Sequence, residues 1–238
     1  MFLDISAFDE FYAGPLGTAT SAAIKSELRQ LWPQLRDLHC LGIGYPFPFL
    51  SALGSETASA AAITPSRLGA REWGHGKGNC TAMASLRSLP LANAAYDRIL
   101  MIHALDFTRE REVFLDEVTR ILSPSGEIAM VVPNRVGAWA RKDTTPFGHG
   151  EPYTRHQLRR FVEAAGYTVV RTRTLLYFPP SPGLVSRGWS GRLERIGSRL
   201  WPGLGGIILM TAERRQLEEV KVSKGVLNVS PVVAPTRG

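Results

Sequence analysis

Apolar residues recur at two periods along this chain, and the switches between them mark out its elements. Ile24, Leu28, Leu31 and Leu35 repeat at the spacing of one helix face, with Pro33 near the end. Ahead of them, residues 1–17 carry Phe2, Phe8, Phe11 and Tyr12 and then Gly14-Pro15-Leu16-Gly17, which predicts a short arm or helix packed on the domain. Leu38–Leu41 predicts a first strand that breaks on Gly42 and Gly44 and hands over to a helix running through Ser51 to Ser55. Ala58–Ile63 predicts a second strand, closed by Thr64-Pro65-Ser66, and Cys80–Ala84 a short third. Between Arg98 and His103 the run is wholly apolar, as suits a fourth strand buried on both faces.

The second half continues the alternation. Thr108 with Glu110 and Glu112 predicts a helix start, and Val113, Phe114, Val118, Ile121 and Leu122 supply its buried stripe. Ser123-Pro124-Ser125-Gly126 reads as a type I turn, and Glu127–Val132 as a fifth strand. Thr154-Arg155-His156-Gln157 has the form of a capping box, followed by Leu158, Phe161, Val162 and Ala165 at helical spacing and by Gly166 as the stop. Tyr167–Thr174 and Gly206–Thr211 predict two last strands on either side of a basic insertion. The expected fold class is α/β, a doubly wound, mostly parallel sheet with an N-terminal helical arm over residues 1–35. Residues 1–213 are expected to form one domain, and 214–238 an extended or mobile tail.

Composition narrows the partners. The chain has 238 residues, 44% of them hydrophobic, enough for a sizeable core. No apolar stretch approaches the roughly 20 residues a spanning helix needs, and the first residues lack a basic leader, so a cytoplasmic protein with no membrane partner is expected. Two cysteines, Cys40 and Cys80, make neither a disulfide framework nor a metal set. The net charge of +7 suggests a nucleic-acid surface. Much of the excess lies in Arg187, Arg192, Arg195 and Arg199 and in the tail, with no RNA-binding aromatic signature beside them, so a solvated basic face is the expectation.

Glycines at the end of a buried strand allow close backbone approach by a ligand, and in parallel sheets that edge is where nucleotide-like ligands bind. The full dinucleotide fingerprint is absent after Gly42 and Gly44. The segments Ala95-Tyr96-Asp97-Arg98-Ile99-Leu100 with His103-Ala104-Leu105, Phe114–Glu127 and Leu89-Pro90-Leu91 resemble the class I S-adenosylmethionine-dependent methyltransferases of the type 11 kind. The resemblance spans about residues 36–175 and is strongest over 86–133. It implies a seven-stranded Rossmann-like fold, S-adenosylmethionine as cofactor, and a methyl acceptor that the chain does not name. It also implies that Gly42, Gly44 and Tyr45 meet the methionine part, Thr64 and Ser85 the ribose and adenine ends, and that His103 lies beside the cofactor and acceptor. The chain departs from the family's pattern in its cofactor motifs. Leu38 and Cys40 stand where the first motif carries an acid and a glycine. Ala62 stands at the ribose-binding acid and Ser85 at the adenine-flanking one.

Several residues carry two readings. His103 serves either as a base or acceptor ligand, or as a strand-end histidine bonded to backbone; Asp106 either bonds it or caps the next helix. The stiff loop Pro146–Tyr153, with His149, Glu151 and Tyr153, either lines a pocket or connects two elements. Trp73, near His75, either covers the adenine side or joins the core. Arg135 and Arg141 are either acidic-substrate ligands or plain surface residues. Cys40 reads as a small buried residue. The candidate catalytic set is therefore His103, His149 and Tyr153. The leading expectation is methyl transfer to a small molecule. The alternative is a non-catalytic scaffold that holds a protein partner through the basic helix 187–199 or the tail.

Overall fold

The computed structural model describes residues 3–53, 57–74, 78–186 and 190–215. The tail beyond Arg215, His75 and residues 187–189 of the expected basic helix lie outside them. Asp4 starts the first helix, α1 (Ile5–Ala13), its carboxylate accepting the backbone N–H of Ala7 at 3.0 Å. Gly14 separates α1 from α2 (Pro15–Leu31), where Pro15 takes the first turn, so the arm is a helix pair. The stripe of α2 buries Leu16, Ile24 and Leu28.

The chain then enters β1 (His39–Gly44), which runs on past the expected break at Gly42. Parallel pairing on both sides holds the glycines in the sheet: Gly42 lies opposite Ala62 and Leu100, and Gly44 opposite Ile102. The next helix, α3 (Phe47–Leu53), begins directly after Pro46 and includes Ser51; the expected end at Ser55 lies outside the described residues. There follow β2 (Ser59–Pro65), β3 (Thr81–Ala84), β4 (Tyr96–Ile102), α4 (Arg111–Ile121) and β5 (Leu122–Pro133). After two single-turn 3₁₀ segments come α5 (Arg155–Ala164), β6 (Tyr167–Leu175), α6 (Pro182–Ser186), α7 (Ser190–Leu200) and β7 (Ile207–Arg214).

Two local expectations change. Helix α4 begins at Arg111 with no side-chain cap, because residues 103–109 turn away from the strand first. Ser123–Gly126 is not a free turn but a bulge within β5. Leu122 pairs with Tyr96 and Glu127 with Arg98, so the four residues between face Asp97, whose carboxylate accepts the Ser123 hydroxyl at 3.0 Å. The capping box forms as expected: the Thr154 hydroxyl accepts the Gln157 N–H at 3.1 Å, and the Gln157 side chain accepts the Thr154 N–H at 3.0 Å. Gly166 takes a φ of +86° at the helix stop.

The seven strands lie in the order β3-β2-β1-β4-β5-β7-β6, and only β7 runs against its neighbours. Helices α4 and α5 cover one face, and α1 to α3 cover the other. Ile99 and Met101 of β4 point to the first face, Leu100 and Ile102 to the second, and all four are buried. At roughly 1.5–3 kcal/mol for each large aliphatic side chain withdrawn from water, this strand anchors both layers. The chain winds outward in opposite directions from β1 and β4, so the carboxyl ends of these strands form the topological switch point.

Candidate functional site

Four strand ends build the site. The loop after β2 brings Ser66 and Arg67, the loop after β3 brings Ser85 and Arg87, and the loop after β4 brings His103 and Asp106. His149, Gly150 and Glu151 close it from the loop after β5. Together they bound a cavity of about 540 Å³ at the carboxyl edge of the sheet, a size suited to a small organic ligand.

His103 is the first residue beyond β4 and sits at φ +53°, a left-handed conformation that costs a non-glycine residue about 1–3 kcal/mol. It is buried at 1% exposure, with Phe147, Phe8 and Phe107 around its ring at centroid distances of 4.6, 4.8 and 5.9 Å. Its Nε2 shares a 2.8 Å hydrogen bond with the Tyr12 hydroxyl. Burial, with Tyr45 and Asp106 nearby, holds the Tyr12 phenol well above its ordinary value. The hydroxyl keeps its proton and is able to donate to Nε2 or to accept from it; the other ring nitrogen, Nδ1, lies on the side of Asp106. Asp106 Oδ2 stands 3.8 Å from that nitrogen. Among the described residues, neither carboxylate oxygen, nor His103 Nδ1, has a hydrogen-bond partner. Asp106 is only 4% exposed and caps no helix, so its carboxyl is a buried polar group whose hydrogen-bonding capacity is unused among the described residues. Gly150 packs on it so closely that a Cβ there would overlap Oδ2.

The glycine turn is filled by protein. A Cβ on Gly42 would collide with Pro46 and Leu50, and one on Gly44 (φ +98°) with the carbonyl oxygen of Ile102. Their missing side chains thus make room for neighbouring chain. Tyr45 is buried under α1, its ring stacked on Phe8 at 5.1 Å and on Tyr12 at 5.2 Å. Its hydroxyl donates to Asp9, which also pairs with Arg71.

Of the residues singled out in the sequence, Ser85, His103, Asp106, His149 and Glu151 line the cavity, while Gly42, Gly44, Tyr45, Thr64 and Tyr153 do not. Thr64 is buried in β2, its hydroxyl without a hydrogen-bond partner among the described residues. His149 Nε2 bonds the Asp143 carbonyl at 2.7 Å. Tyr153 belongs to the core of the opposite face, under the Arg111 guanidinium, and burial pushes its phenol up to about 12. Burial likewise pushes the Cys40 thiol up to about 11, which leaves it protonated and inert at neutral pH. Trp73 packs partly against the core beside α1 and α2. Arg135 donates to the Pro152 carbonyl at 2.9 Å, and Arg141 is exposed. The roles of Phe8 and Tyr12 against His103, and of Arg67 and Arg109 at the cavity rim, had no sequence signal beyond the aromatic richness of the arm.

Residues 39–130, which run from β1 into β5, match the family described as "Methyltransferase domain". Over that stretch the chain is similar to methyltransferase domains. Its fold is that of S-adenosylmethionine-dependent methyltransferases. One such protein from Thermotoga maritima superposes with a TM-score of 0.62 at 15% identity, covering 89% of this chain and 96% of that one. Another from Mesorhizobium loti gives a TM-score of 0.56 at 14% identity, covering 79% and 96%. The cyclase SpnF, at 17% identity and covering 81% and 80%, shares the fold with a TM-score of 0.56. No curated protein sequence matches the chain. At these identities the likeness fixes the architecture, and the chemistry has to be argued from the site.

The family implies S-adenosylmethionine, and the residues present fit part of it. The cavity, the Ser66 and Ser85 hydroxyls and the unpartnered Asp106 carboxylate suit the nucleoside half of a cationic ligand rich in donors. The end of β2, Pro65-Ser66, offers no carboxylate, and α1 covers the Tyr45 side of the glycine turn.

Proposed function

We propose that this protein binds S-adenosylmethionine in the cavity at the ends of β2, β3 and β4, and that it is a methyltransferase acting on a small-molecule acceptor in the cytoplasm. The observation that carries the reading is the buried Asp106 carboxylate, without a hydrogen-bond partner among the described residues, at the wall of a ligand-sized cavity at the switch point. When bound, the cofactor supplies a methyl group already activated by its sulfonium, so the chain's task is to position and to exclude water. In this reading Ser66 and Ser85 hold the nucleoside end. Asp106 accepts donors from the ligand, and His103 holds the loop that carries Asp106. Gly42, Gly44 and Tyr45 meet the methionine end once α1 yields. His149 faces the acceptor, and Tyr153 keeps a packing part behind it. Residues 1–213 form the working unit in the same proposal, with Arg214 added as the last residue of β7 and the residues after it as a tail.

A second reading, a non-catalytic scaffold, is favoured by the carboxylate-free end of β2 and by α1 stacked over Tyr45. Calorimetric titration with S-adenosylmethionine and with its demethylated product separates the two. Micromolar binding, abolished when the exposed cavity residue is enlarged in Ser85→Trp, is the expected result. Folded, monodisperse protein with no binding at millimolar ligand contradicts the methyltransferase reading and favours the scaffold.

A further inference from the structure

The surface of α7 and the turn after it gathers large apolar side chains and arginines in one place. Ile196, Leu200, Trp201 and Leu204 are 51, 61, 56 and 54% exposed. Arg192, Arg195 and Arg199 are exposed on the same helix. The orientation of α7 is fixed from its other side. Glu194 accepts the backbone N–H groups of Leu176 and Tyr177 at 2.9 and 2.7 Å, and Gly197 lies against the Tyr177 ring. With 3.6 residues per turn, Arg192, Arg195, Ile196, Arg199 and Leu200 then share the outward face. The turn is held as firmly: Leu204 N–H donates to the Trp201 carbonyl at 2.9 Å, and Tyr177 donates to the Pro202 carbonyl at 2.9 Å.

From this patch we infer that α7 and the Trp201–Leu204 turn dock the protein on an anionic lipid surface. Three features single out a bilayer as the occupant. The outward face of α7 is cationic without a compensating acid, since its one carboxylate, Glu194, is turned inward to the backbone. The apolar groups are one tryptophan and three aliphatics among arginines, the composition of an interfacial segment, in which long basic side chains keep their charge in the headgroups while aromatic and aliphatic groups enter the acyl boundary. The whole chain carries a net charge of +7, which adds long-range attraction to acidic headgroups. Among the described residues no helix is long and apolar enough to cross a membrane, so the helix lies on the surface. The docking is independent of whether the cavity transfers methyl groups.

The test is flotation of the full-length protein with vesicles of phosphatidylcholine alone and of phosphatidylcholine mixed with phosphatidylglycerol. Binding to the mixed vesicles should exceed that to phosphatidylcholine by about tenfold or more and weaken as salt rises. The exposed-site variant Leu200→Ser/Trp201→Ser should lose about tenfold or more of that partitioning, with its circular dichroism unchanged. Three outcomes overturn the inference. One is absence of wild-type binding. Another is binding that the variant leaves intact, which would place the contact elsewhere, including the C-terminal residues. The third is a concentration-dependent dimer lost in the variant without any vesicle binding, which would make the patch an interface between two copies.

Discussion

Tyr12 and His103 are separated by 91 positions and share a 2.8 Å bond in an aromatic shell, so the arm and the end of β4 are joined at one buried imidazole. Replacing Tyr12 by Phe keeps the ring and leaves Nε2 without its partner. The expected cost is about 1–3 kcal/mol, read as a lower denaturation midpoint in urea at unchanged slope; an unchanged midpoint would mean that the bond contributes nothing. His103 and His149 were legible as residues at the cavity edge because each sits at a strand end or loop on the sheet's carboxyl side, which the order of elements places, and Ser85 was reached through the family resemblance. Phe8 and Tyr12 were legible only as apolar, since nothing local to residues 8–12 tells where their rings go. Gly44 was legible as special, but for a different reason: its φ of +98° and the Ile102 carbonyl leave no room for a side chain. Gly44→Ala should destabilise the fold by about 2–4 kcal/mol in the same assay.

Among the elements, α4 shows how charge ties a loop to a helix. Glu117 accepts the Leu89 N–H at 2.8 Å, and Arg120 donates to the carbonyls of Leu89 and Leu91 at 2.9 and 2.8 Å while pairing with Glu117. The Arg120 guanidinium, helped by the Leu89 N–H, holds the Glu117 carboxyl below the usual carboxylate range. A lowered folded value stabilises the protein above the unfolded carboxyl's range and loses that contribution as pH falls through the folded value. Glu117→Gln should therefore cost about 1 kcal/mol at neutral pH, with the two proteins converging in acid. A constant difference at every pH would refute the charged contribution. The capping box and the Gly166 stop were readable because they are local grammar. The far end of β1 was not, because pairing with β2 and β4 kept its glycines in the sheet, and the bulge of β5 depends on Asp97 across the strand.

At the scale of the molecule, seven strands in the order β3-β2-β1-β4-β5-β7-β6 place every cavity-lining loop on one edge, whatever ligand that edge has come to hold. The alternation of elements anticipated a doubly wound, mostly parallel sheet and the resemblance its seven strands, whereas the covering of the glycine turn by α1 belongs to tertiary packing alone. Entry of the cofactor at the ends of β2, β3 and β4, beside Asp106, is the step on which the proposed activity depends. Hydrogen exchange of the full-length protein, with and without saturating S-adenosylmethionine, reads that step segment by segment. Protection should concentrate in residues 65–68, 84–87, 103–110 and 149–151, with faster exchange in α1 as it yields. Unchanged exchange in all four segments, with the ligand present in excess, would contradict entry at this edge.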